Sequence, residues 1–169
     1  MLGLAAWAAM AAPPETGPVT NLPLPRFVSL NASEINVRRG PGLDYRRDWV
    51  YRRAGLPVRV LDEYENWRLI EDSEGEGGWV YHALISGRRM AEVTAEGVLL
   101  RAEPGEAVTG DCAEIVGEAE GAIACAARGV LARLVACRAD WCRVVAGGHD
   151  GWVPKAAIWG VAPAEEFGE

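Results

Sequence analysis

Four cysteines and two histidines are the side chains of this 169-residue protein best suited to chemistry, and all four cysteines fall between positions 112 and 142. Cys137 and Cys142 enclose Arg138-Ala139-Asp140-Trp141, while Cys112 and Cys125 lie upstream. Four thiols admit a zinc site, a redox pair, a reactive nucleophile or two disulfides. Structural zinc favours knuckles of roughly two to four intervening residues, and only the Cys137–Cys142 pair is that close. A Cys-x-x-Cys redox motif is absent from the sequence. His82 and His149 could pair with a thiol nucleophile, but His149 stands in Gly147-Gly148-His149-Asp150-Gly151, a turn that places it at the surface. The run Glu71-Asp72-Ser73-Glu74-Gly75-Glu76 reads as a solvated turn, with a weak calcium site as the alternative. The sequence has neither the phosphate-loop pattern nor His-Glu-x-x-His. These residues point to a protein that is not an enzyme and carries no cofactor or metal.

Which elements must hold those cysteines follows from composition and pattern. Half the residues are hydrophobic, and 20 glycines and 10 prolines punctuate the chain, which suits short strands and many turns. No apolar run approaches the roughly 18 residues of a bilayer span. Residues 1–11, MLGLAAWAAMA, end in Ala9-Met10-Ala11, the apolar core and small-x-small cleavage pattern of a secretory signal peptide. It lacks the basic start of such a peptide, as a truncated one does, and an apolar N-terminal strand or helix is the competing reading. Residues 12–27 follow as a Pro-rich, extended leader. Export implies a periplasmic or secreted protein in an oxidising setting, where disulfides persist.

An internal repeat organises the rest. Trp67 and Trp141 stand at the same distance after Gly55 and Gly129, and Gly78-Trp79-Val80 is matched by Gly151-Trp152-Val153. Both copies then run through an alanine to Leu84-Ile85 or Ala157-Ile158 and close on Gly87 or Gly160. Upstream, Ile35-Asn36-Val37-Arg38 is matched by Val98-Leu99-Leu100-Arg101. Matches at so many fixed offsets indicate a tandem duplication. Within each copy, alternating apolar residues, a polar turn, a Trp-led strand and a Gly-Trp-Val strand predict a small antiparallel barrel.

The segments INVRRGPG, NWRLI and GGWVYHALISG resemble the bacterial SH3-like (SH3b) domain, in the tandem form of exported proteobacterial proteins. The resemblance implies an all-β protein of two tandem small SH3-like β-barrels, at 28–92 and 93–169, the second with an insertion at about 106–126. It further implies a binding module for cell-wall (peptidoglycan) peptide or an envelope protein; a structural or regulatory protein-interaction scaffold of the cell envelope with no wall ligand is the alternative. The loop after the first strand and the turn holding Trp67 then bound the groove. Its expected lining is Tyr45, Trp49, Tyr51, Trp67 and Tyr81, with Arg46, Arg47 and Arg52 at the rim. The second copy lacks counterparts of Gly40-Pro41-Gly42 and of the aromatic set Tyr45, Trp49 and Tyr51, so its expected role is structural.

The repeat also bears on the cysteines. Cys137 and Cys142 flank a turn between strands and align with Glu63 and Arg68, an opposite-charge pair. The expected bonds are Cys137–Cys142 across that hairpin and Cys112–Cys125 across the insertion; zinc ligation and free thiols remain the alternatives. Charge divides the copies as well. Residues 27–89 carry 10 basic and 10 acidic side chains, whereas residues 90–169 carry 6 and 13, and the whole chain is at −7. An acidic, exported protein is a poor partner for nucleic acid. The cluster RRGPGLDYRRDWVYRR, six arginines around three aromatics, suits carboxylates instead, by bidentate hydrogen bonds and stacking.

Overall fold

A computed structural model describes residues 15–117 and 120–168. The expected signal segment at 1–11 lies outside the described residues, as does the start of the leader. From Glu15 the leader turns back on itself: β1 (Glu15–Thr16) pairs antiparallel with β2 (Pro23–Leu24). The intervening turn is closed by the Gly17 and Asn21 N–H groups, and Asn21 takes the left-handed conformation (φ 61°) that asparagine tolerates.

The first barrel is a seven-stranded antiparallel sheet. It comprises β3 (Arg26–Leu30), β4 (Ile35–Arg38), β5 (Arg47–Tyr51), β6 (Pro57–Tyr64), β7 (Trp67–Glu71), β8 (Gly77–Tyr81) and, after a 3-10 turn at His82–Leu84, β9 (Ile85–Ser86). Their order is β5-β4-β8-β7-β6-β3-β9. Alternation puts Ile35, Val37, Val58, Val60, Ile70 and Val80 inside, all within 1% of full burial. The second sheet comprises β10 (Met90–Val93), β11 (Gly97–Arg101), β12 (Ala122–Ala127), β13 (Leu131–Arg138), β14 (Trp141–Ala146), β15 (His149–Pro154) and β16 (Ile158–Trp159). Its order, β12-β11-β15-β14-β13-β10-β16, repeats that of the first sheet element for element. The duplication read from the tryptophans is thus a duplication of topology. The change of sheet falls at 87–89, a few residues before the boundary expected at 92.

Between β11 and β12 the second copy inserts a loop with one short helix, α1 (Cys112–Ile115), capped by the Asp111 carboxylate on the Ala113 N–H. The Cys112–Cys125 disulfide ties this helix to β12. The other bond joins Cys137 to Cys142, which face each other across the β13–β14 hairpin with Cα atoms 4.1 Å apart. No described cysteine is free. The two disulfides point to an oxidising, extracytoplasmic environment. Among the described residues no helix is long and apolar enough to cross a membrane.

Candidate functional site

The face around Trp67 is set by strand register. Tyr64 lies opposite Trp67 and Trp67 opposite Tyr81, so the three side chains share the outer face of β6, β7 and β8. Trp67 meets Tyr81 edge-on at 5.7 Å between ring centroids, and Tyr81 leans on the His82 ring at 4.9 Å. Tyr64 and Tyr81 are exposed, while Trp67 is 8% exposed and forms the floor.

Arg38 joins this face to the loop at 39–46. Its Cζ stands 6.0 Å from the Trp67 ring centroid, and its Nη1 donates to the carbonyl oxygens of Leu43 (2.8 Å) and Tyr45 (2.7 Å). Tyr45 is half exposed. Its ring lies so close over Gly40 that a Cβ there would overlap it, which is the local reason for a glycine. The rest of the loop is held by Asp48, whose carboxylate accepts from Arg46 Nε (3.0 Å) and Nη2 (2.8 Å) and from Arg39 Nε (3.3 Å). The Arg46 hydrogen bonds, joined by Arg39, hold Asp48 below the usual carboxylate range.

Trp49 and Tyr51 lie elsewhere. In the β4–β5 register they oppose the buried Val37 and Ile35, so both rings turn toward the core and pack against it. Trp49 meets Tyr51 edge-on at 5.7 Å. The Tyr51 hydroxyl reaches Asp72 Oδ2 (2.9 Å) and the Glu76 carbonyl (3.0 Å), and burial, then the Asp72 carboxylate, push its pKa up. Of the arginines, Arg46 is committed to Asp48, and Arg52 lies 3.6 Å from Glu34 at the surface. Arg47 is exposed beside Arg38, and among the described residues its side chain has a single polar contact, 3.5 Å to Asn36 Oδ1. The structure therefore brings Trp67 and Tyr81 together, ties the Tyr45 backbone to them through Arg38, keeps Arg47 beside Arg38 and withdraws Trp49 and Tyr51. It adds Arg38, Tyr64 and His82. Arg38 was visible in INVRRGPG, but its role depends on which side of β4 it occupies.

The acidic turn is spent internally: Asp72 Oδ1 accepts from the Glu74 and Glu76 N–H groups and Glu71 pairs with Arg59. Among the described residues no cluster of three or more His, Cys, Asp or Glu side chains forms a cation site. In the second barrel Trp141 opposes Pro154, the counterparts of Trp67 and Tyr81, and Arg138 stacks 4.3 Å over Trp152.

A family model described as Bacterial SH3 domain matches residues 31–87 and 117–160. The chain belongs to the bacterial SH3 domain family. Members are generally non-catalytic binding modules, often linked to the cell wall. No curated protein matches the chain. Across the two matched segments this bacterial SH3 protein keeps the Trp-led and Gly-Trp-Val strands of both copies, at Trp67, Trp79, Trp141 and Trp152.

Proposed function

We propose that this protein is an extracytoplasmic, non-catalytic adaptor of two SH3-like units divided near residues 87–89, whose first unit binds peptidoglycan peptide. The reading is carried by one observation. Arg38 and Arg47 flank the aromatic face of Tyr45, Tyr64, Trp67 and Tyr81, and among the described residues neither guanidinium is paired with a carboxylate. Two uncompensated cations beside aromatic rings suit a ligand that carries carboxylates on a short apolar backbone, as wall stem peptides do. No nucleophile, base or metal is asked of the site; it selects by charge and stacking.

The test is retention on purified peptidoglycan in moderate salt, which suppresses nonspecific charge attraction. The wild-type chain is retained, and Tyr45→Ala/Tyr81→Ala lowers retention about tenfold, the loss of roughly 1.4 kcal/mol expected from two edge-exposed rings. Arg47→Glu lowers it further. Wild-type protein that passes through unretained would sink this reading.

A further inference from the structure

A cleft of about 660 Å³ opens between the two barrels, away from the arginine-rich face. Trp141, Pro154 and Trp159 line it from the second barrel, Pro163 from the tail beyond it, and Phe27 and Arg59 from the first barrel. Trp141 and Pro154 are the counterparts of Trp67 and Tyr81, so the second copy keeps the position of the aromatic face but builds its far wall from the first copy. Phe27 meets Trp159 edge-on at 5.1 Å, and the Arg59 guanidinium lies 5.2 Å over the same indole.

The polar groups of this cleft decide what it suits. Neither of its cations is open to a ligand: Arg59 pairs with Glu71, and Lys155 is buried, with its Nζ turned to the carbonyls of Pro163 (3.1 Å) and Glu165 (2.7 Å). The one carboxylate among its described lining residues, Asp140, is open to one. Its side chain is exposed, and among the described residues no hydrogen bond or ion pair engages it. The surrounding barrel has 13 acidic and 6 basic residues over 90–169. Aromatic walls with few free donors do not suit a sugar, whose hydroxyls need many partners. The unpaired Asp140 and the net negative charge of the second barrel disfavour the carboxylate-bearing ligand assigned to the first barrel.

We propose that the inter-barrel cleft docks an extended cationic peptide segment of a partner protein, its apolar side chains against Trp141, Trp159 and Phe27 and a lysine or arginine against Asp140. The chain then holds ligands of opposite charge at separate places, anionic at the first barrel and cationic between the barrels. This inference does not depend on the wall-binding reading.

The probe is a fluorescein-labelled ten-residue peptide with leucine and tryptophan anchors and four basic residues, followed by anisotropy with the full chain. A control peptide carries glutamates in place of the basic residues. Ala107→Trp fills the cleft from an exposed loop position, and Asp140→Lys reverses the rim charge; their unfolding midpoints should stay near that of the wild type. Saturable binding of the cationic peptide is expected, at least tenfold weaker for the glutamate peptide. Ala107→Trp should weaken it at least tenfold and Asp140→Lys at least threefold, while Tyr45→Ala/Tyr81→Ala leaves it unchanged. No binding, equal binding of both peptides, or indifference to Ala107→Trp overturns the proposal. So does binding of neutral Nile red without peptide, which assigns the cleft to a small apolar ligand. A dimer that Ala107→Trp abolishes assigns it to a second copy, and also overturns it.

Discussion

Glu63 and Cys137 occupy the same step of the same hairpin in the two barrels, and each stands where a terminal segment of the chain is fastened. Glu63 is 3% exposed. Its carboxylate accepts from the Val19 N–H (3.1 Å), the Thr20 N–H (2.8 Å), the Thr20 hydroxyl (2.6 Å) and Arg26 Nη2 (2.7 Å), with Arg68 Nε at 3.5 Å. Burial alone would raise its pKa, but the hydrogen bonds from Thr20, Arg26 and Val19 outweigh that and lower it from 4.5 to about 2. Because the folded pKa lies below the unfolded one, Glu63 stabilises the fold above about pH 4.5, and that contribution is lost as pH falls through about 2. Glu63→Gln should therefore cost roughly 3 kcal/mol at neutral pH, the scale for breaking a buried ion pair from one side. Urea titrations across that range should show the mutant losing much less stability than the wild type between pH 4.5 and 2; parallel curves would refute the assignment. At the other barrel Cys137 exchanges two backbone hydrogen bonds with Phe167, at 2.7 and 3.0 Å. The Glu63–Arg68 and Cys137–Cys142 equivalence was legible because both pairs flank a four-residue turn ended by tryptophan. The partners of Glu63 were not, since they come from a leader whose sequence shows prolines and no docking pattern.

Between strands and loops, the two disulfides do different amounts of work because they close loops of different length. Cys137 and Cys142 are 5 apart in sequence, Cys112 and Cys125 are 13 apart. Loop-closure entropy assigns about 2 kcal/mol to the first and about 3 kcal/mol to the second. Cys112→Ala/Cys125→Ala should thus lower the denaturation free energy more than Cys137→Ala/Cys142→Ala, although the second pair is the more buried; guanidinium unfolding of the two double mutants measures the order. The loop at 39–46 offers a sharper functional test. Gly40→Ala places a methyl group where the Tyr45 ring lies, so peptidoglycan retention should fall severalfold with little change in unfolding midpoint. Retention at the wild-type level would remove Tyr45 from the site. This loop also marks where sequence reading ended. The strand pattern, the duplication and the Glu63–Arg68 and Cys137–Cys142 hairpin pairing follow from period-two alternation and the tryptophan spacing, whereas the strand order does not. Nor does which ring of RRDWVYRR faces inward. That depends on the β4–β5 register, which shifts between Val37 and Arg38, and one step of register exchanges the two faces of a strand.

At the scale of the molecule the two barrels interlock rather than hang from a linker. Leu131, on the first long strand of the second barrel, packs against the core of the first, and with Met90 it lies beside Gly55. Arg53 reaches across to the Gly129 carbonyl at 2.5 Å and to Glu92 at 3.5 Å, and Ser73 donates to Glu92 at 2.9 Å. Phe27 and Trp159 close the far side at 5.1 Å. Apolar contact on two sides of a three-residue junction couples the stabilities of the halves, because neither can unfold without exposing part of the other's core. The wild-type protein should unfold in one transition by calorimetry, with tryptophan fluorescence and far-ultraviolet circular dichroism coincident. Leu131→Ala/Trp159→Ala should separate it into two, with the disulfide-bonded second barrel persisting longer. The same coupling gives the inter-barrel cleft a consequence: a segment bound against Phe27 and Trp159 holds both barrels at once, so its binding should raise the midpoint of the single wild-type transition as a whole. Thermal scans with saturating cationic peptide measure this. A shift confined to one of two resolved transitions would show that the barrels act independently.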